Sequence, residues 1–166
     1  MGEDENILVT ATSMQVKVEI VSYGNGNLKG VLYNRHLHAP YTFVCLLQMI
    51  RLMERLFDSK RFPEAFMSPR MFESLKNNRN IQEVDGNIAM NDASNLTIEP
   101  EAGGAKCTFE IHVMFRQNAT WQGQILWTEK NLRQKFRSAL EMLLLMNDAM
   151  TDGDEGEQSS VKWDKK

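Results

Sequence analysis

Residues 109–127, Phe109-Glu-Ile-His-Val-Met-Phe-Arg-Gln-Asn-Ala-Thr-Trp-Gln-Gly-Gln-Ile-Leu-Trp127, hold two runs of alternating polarity around a short polar break. Phe109, Ile111, Val113 and Phe115 alternate with Glu110, His112, Met114 and Arg116, the period of a strand that buries one face. Trp121, Gly123, Ile125 and Trp127 resume the alternation after Gln117-Asn-Ala-Thr120, which predicts an antiparallel hairpin. Glu129-Lys-Asn131 offers a second tight turn, with Asn131 suited to the left-handed conformation. Leu132, Gln134 and Phe136 then alternate with Arg133, Lys135 and Arg137, a third strand with a basic outer face. At Ser138 the period becomes helical, and Ser138-Ala-Leu-Glu141 is a capping box, so a helix is predicted from there to about Met150.

The same pattern occurs 93 residues earlier. Val16, Val18 and Ile20 fall on Phe109, Ile111 and Val113; Gly30 falls on Gly123, Leu32 on Ile125 and Phe43 on Phe136. Leu47, Met49, Leu52 and Met53 fall on Leu140, Met142, Leu145 and Met146 without a gap, and 42 aligned pairs from Val16 to Phe57 contain seven identities. Polarity, turn position and the switch from strand to helix agree at one offset, which is the signature of an internal repeat. The expected fold is therefore α+β, two βββα repeats (about 16–57 and 109–150) packed as one body, with paired antiparallel sheets or one continuous antiparallel sheet covered by two helices. A unit of 42 residues is too small to bury a sufficient core alone, so residues 1–150 are expected to form one domain.

Residues 58–108 form an irregular connector, broken at Phe62-Pro63 and Ser68-Pro69. A short helix from Ser68 or Pro69 to Leu75 and short strands at Ile88-Ala-Met90 and Leu96-Thr-Ile98 are its only expected elements. From Thr151 the chain holds five acids and three lysines with little apolar content, the composition of a disordered tail. The whole chain carries a formal charge of -3, so no global basic field marks it for nucleic acid or membranes. No apolar run approaches the roughly 18 residues a bilayer span requires. Cys45 and Cys107 lie far apart in apolar contexts, and no signal-like start precedes them, which predicts reduced thiols and a cytoplasmic protein.

Gly26-Asn-Leu-Lys-Gly30, Pro40-Tyr-Thr-Phe43, Phe62-Pro-Glu-Ala-Phe66, Arg70-Met-Phe72, Phe115-Arg-Gln-Asn-Ala-Thr-Trp-Gln-Gly123 and Phe136-Arg-Ser-Ala-Leu-Glu141 together resemble a family of small, uncharacterised proteins of the Clostridia. The resemblance spans roughly residues 26–150 and is sharpest at the Arg-Gln-Asn-x-x-Trp-Gln-Gly segment. It implies a bacterial cytosolic setting and carries over no site residue.

Local motifs for chemistry fail on spacing. His36-Leu-His38 with Cys45 lacks the second ligand pair that structural zinc needs. Asp152-Gly-Asp154-Glu-Gly156-Glu157 begins like a calcium loop but has Glu157 where Gly is required and Trp163 where a bidentate Glu is required. Gly24-Asn-Gly26 lacks the third glycine and the strand-to-helix context of a nucleotide loop, and no serine lies in a nucleophile elbow. No metal, no cofactor and no enzymatic activity are expected. Trp121 and Trp127 share a strand face with Gly123 and Ile125, which suits core anchors of the hairpin; in the other reading Arg116, Asn118, Trp121 and Gln122 cluster at one hairpin end, where a rigid aromatic and a planar cation suit a protein partner or self-association. The leading expectation is a non-enzymatic intracellular binding or adaptor module. The alternative is an RNA- or single-stranded-DNA-binding protein using Arg133, Lys135 and Arg137, because basic residues interleaved with aromatics hold phosphates and stack bases.

Overall fold

The alternation from Phe109 to Trp127 becomes a hairpin in a computed structural model that describes residues 14–24, 27–67, 70, 107–151 and 164–165. Its strands are β4 (Cys107–Phe115) and β5 (Gln122–Trp127). Asn118 and Ala119 both adopt positive φ, 54° and 56°, and the Thr120 N–H donates to the Gln117 carbonyl at 3.1 Å. A two-residue turn of this hand matches the twist of its flanking strands. Asn131 likewise takes the left-handed conformation, φ 51°, and leads into β6 (Leu132–Phe136). The Glu141 N–H then donates to Ser138 Oγ at 3.0 Å, and α2 spans Ala139–Thr151.

The first half runs β1 (Val16–Gly24), β2 (Asn27–Tyr33), β3 (Tyr41–Phe43) and α1 (Leu46–Lys60). All the strands join one antiparallel sheet in the order β3-β2-β1-β4-β5-β6-β7, where β7 is the two-residue strand Asp164–Lys165. Both helices pack on one face. Met49, Leu52, Met53, Leu56 and Phe57 of α1 and Met142, Leu145, Met146 and Ala149 of α2 share a single core with Val16, Val18, Ile20, Phe109, Ile111 and Val113. The other face carries the polar members of each strand and no helix among the described residues.

The centre of the sheet is the β1–β4 pair. Lys17 stands opposite Glu110, flanked by Val16 opposite Ile111 and Val18 opposite Phe109. The register slips between Ile20 and Ser22 on β1 and between Val113 and Phe115 on β4. Gly30 faces Phe43 across β2–β3, and Gly123 faces Phe136 across β5–β6. Both glycines are required by close approach. A Cβ at Gly30 would meet the Glu19 carbonyl oxygen and, at 2.6 Å, the Phe43 ring; one at Gly123 would meet the His112 carbonyl oxygen and, at 3.0 Å, the Phe136 ring.

Two expectations are refined. The sheets of the two halves are a single continuous sheet, because β1 and β4 pair directly. The tail is not wholly without structure, since Asp164 and Lys165 pair with Arg133 and Leu132 of β6. Backbone pairing at a sheet edge needs no apolar side chains, which is why composition gave no sign of it. The short helix expected to end at 75, the strands expected at 88–90 and 96–98, and the tail at 152–163 lie outside the described residues.

Candidate functional site

Arg116 and Trp121 stand where β4 ends and β5 begins, and both point inward. Arg116 is 5 % exposed and Trp121 3 %. The Arg116 Nε–H donates to the Pro63 carbonyl at 2.8 Å, while its Nη1 reaches Glu54 at 2.6 Å and Asp58 at 2.7 Å on α1. Its guanidinium lies 5.7 Å from the Phe57 ring centroid, and Trp121 meets the same ring edge-on at 5.6 Å. The Trp121 indole N–H donates to the other Glu54 oxygen at 2.6 Å. Trp121 thus takes the core-anchor reading, and Arg116, expected to face an outside partner, is buried with it. The pair that a sequence reading assigns to gripping a partner grips α1, because a fork of donors and a large ring are both satisfied there.

Of the other residues expected at this end, Asn118 is exposed at the turn and Gln122 is half-buried opposite Phe115. Exposed apolar side chains lie beside them. Ala65 bridges Arg116, which brings the segment leaving α1 to the end of β4, and Phe66 is 73 % exposed, Met67 55 % and Phe115 53 %. Met114, at the register slip, is also exposed. The sequence hinted at this in Phe62-Pro-Glu-Ala-Phe66, yet only tertiary pairing brings Phe66 to the end that holds Phe115.

The helix-free face carries a polar network around the centre of the sheet. Lys17 Nζ pairs with Glu19 at 2.6 Å, and the Tyr33 hydroxyl donates to the other Glu19 oxygen at 2.8 Å. The hydrogen bond from Lys17 holds the Glu19 carboxyl below its ordinary pKa, with a lesser contribution from Tyr33. Burial, then the hydrogen bond to Glu19, raises the Tyr33 phenol. The Gln15 amide donates to Glu110 at 2.7 Å, and Gln15, Lys17, Tyr33, Asn34, Arg35 and Glu110 line an open depression of about 460 Å³. No sequence motif marks it, since its lining comes from three separated segments.

Arg133, Lys135 and Arg137 lie on the side of their strand opposite the buried Phe136. Arg133 is half-buried and makes one long contact, 3.5 Å, to Gln124; Lys135 is exposed; Arg137 pairs with Glu141 at 3.3 Å. Trp127 is buried, with Lys130 Nζ 4.5 Å over its ring, so neither tryptophan of this half is a surface platform for base stacking. Cys107 is buried and its thiol pKa is pushed up by burial, whereas Cys45 is exposed at the start of α1. His36 is pushed below its ordinary pKa by burial and then by the cations Lys60 and Arg35. Among the described residues, no group of three His, Cys, Asp or Glu is placed to hold a metal ion, and no helix is long and apolar enough to cross a membrane. No protein-family model, curated protein or solved structure matches this chain.

Proposed function

We propose that the chain is a duplicated βββα unit acting as a non-enzymatic, protein-binding module in the bacterial cytoplasm, with its contact surface at the apolar end formed by Met114, Phe115, Phe66 and Met67. The duplication is supported by features that recur at the 93-residue offset: the two register slips, the two glycines with their facing phenylalanines, and the buried methionine and leucine rows of the helices. It is supported as well by the β1–β4 register. Exchanging the two units maps the Val16·Ile111 pair onto Val18·Phe109 and leaves Lys17·Glu110 in place, the reciprocity of a two-fold interface within one chain. The free thiols of Cys45 and Cys107 suit a reducing compartment.

The observation that carries the binding reading is the exposure of three large apolar side chains, Phe66, Met67 and Phe115, at one end of the sheet. Large exposed apolar side chains gathered at one end of a fold suit an interaction site. Self-association is the form accessible in the purified protein. Multi-angle light scattering over rising concentration is expected to show a mass above the 19.1 kDa of one chain, and the doubly substituted Phe66→Asp/Phe115→Asp protein is expected to stay at that mass. A wild type that stays monomeric throughout refutes this contact surface.

The basic row of β6 favours a second reading, binding to single-stranded nucleic acid. Its sign is an excess of 260 nm absorbance in the purified protein that rising salt removes and that Arg133→Glu/Lys135→Glu abolishes. Trp121 and Trp127 are buried, so neither is available to stack a base.

A further inference from the structure

The two strands that meet at the centre of the sheet differ where they touch. On the buried face Val16 stands opposite Ile111 and Val18 opposite Phe109, a smaller side chain against a larger one each time, and all four are fully buried. On the helix-free face Lys17 stands opposite Glu110. Pairing each unit with a copy of itself in the same register gives other partners. Two first units would set Val16 against Val18 and Lys17 against Lys17, and two second units would set Ile111 against Phe109 and Glu110 against Glu110. The first pair leaves the core short of volume, the second overfills it, and each places like charges directly across the seam. The helix contacts are matched in the same way. At the 93-residue offset Glu54 and Asp58 correspond to Asn147 and Thr151, so in two second units the buried Arg116 would meet neither carboxylate. Trp121 corresponds to Leu28, so in two first units Phe57 would lose its edge-on ring.

We infer that the β1–β4 seam is a selective interface: the first unit fits the second, and neither fits a copy of itself. Opposite charges at the centre, small against large side chains on the buried face, and the seating of Arg116 and Trp121 on α1 all favour the mixed pair. The chain therefore carries its own partner, a unit of the other kind, and a like unit on a second copy of the chain is disfavoured at this edge. Corresponding positions are those of the proposed duplication, on which this selectivity rests, and the apolar end plays no part in it.

The test uses the full chain with a protease site inserted between Asp85 and Gly86 and cut after folding, in the Phe66→Asp/Phe115→Asp background so that the apolar end does not contribute. The cut protein is unfolded in urea, refolded and read by native mass spectrometry, which separates the mixed complex from like pairs by mass. Complexes with one fragment of each kind are expected to exceed like pairs by about tenfold or more. On dilution, Lys17→Glu weakens the mixed complex by about fivefold or more, since it sets an acid against Glu110, and adding Glu110→Lys restores most of that loss. Circular dichroism of the uncut chain with the same substitutions is expected to be unchanged, so that a loss in the cut protein reports on pairing. Like pairs in comparable amount overturn the selectivity and leave the duplication standing. Fragments that stay apart, or a double reversal no tighter than Lys17→Glu alone, overturn it as well.

Discussion

Arg116 is buried while the acids it binds stay wet: the Glu54 and Asp58 side chains are 41 % and 64 % exposed. The two carboxylates therefore lose little hydration on pairing, whereas the guanidinium exchanges water for a carbonyl, two carboxylates and an aromatic face. Arg116→Ala is expected to cost about 2–3 kcal/mol, since it strands the Pro63 carbonyl and opens a gap beside Phe57. Arg116→Lys keeps a charge but loses the fork, and is expected to cost less than the alanine change and more than nothing. Urea unfolding at neutral pH measures both. The local sequence showed that Arg116 and Trp121 belong together, but their direction was not legible. Their partners lie 62 and 67 residues away on α1, and alternation gives a face without saying what covers it. Arg116 also departs from the simple alternation, because the register slip at Met114 turns the end of β4 and sends Arg116 inward, leaving Phe115 exposed.

The hairpins and helix starts were legible, because they rest on local chemistry. Ser138 and Glu141 cap α2 as their spacing predicts, although the Glu141 carboxylate reaches the N–H of Arg137, at 2.6 Å, one residue before the cap. Gln48 does the same for Val44 at the start of α1, 2.8 Å, with a neutral side chain. The Arg137 backbone hydrogen bond, more than the Arg137 guanidinium, holds the Glu141 pKa below its ordinary value. A carboxyl whose folded pKa is depressed adds stability above its unfolded pKa and loses it as the pH falls through the folded one. Stability is therefore expected to fall below about pH 4.3 in part through Glu141, and Glu141→Gln to flatten that fall, as urea midpoints between pH 3 and pH 6 will show. The paired glycines yield a second prediction for these elements. Gly30→Ala and Gly123→Ala are each expected to cost more than about 2 kcal/mol, since a strand must move away from a carbonyl oxygen and a phenylalanine ring. Thermal unfolding of the two variants checks this.

Across the whole molecule, each half is fastened to the helix of the other. The Tyr23 hydroxyl of β1 donates to Asn147 of α2 at 2.6 Å, and Arg116, just past β4, donates to Glu54 of α1 at 2.6 Å. Tyr23 and Arg116 stand 93 residues apart, as do Glu54 and Asn147, so these two contacts are counterparts under the proposed duplication. The 93-residue offset made the strand and helix order of the two halves legible, but the exchange of contacts between them was not, because an offset aligns like with like and is silent on which half touches which. Neither half closes a core alone: Phe57 of the first unit packs on Trp121 of the second, and β1 and β4 share the central register. Two units interlocked in this way must unfold together. The measurement that tests this directly is urea unfolding of the Trp163→Phe chain, followed by far-ultraviolet circular dichroism and by the fluorescence of Trp121 and Trp127, which report on the second unit. One coincident transition is predicted, and Gly30→Ala in the first unit is predicted to move both signals to the same lower midpoint. A fluorescence transition that separates from the dichroism, or that Gly30→Ala leaves in place, would contradict the account of two units folded as one body.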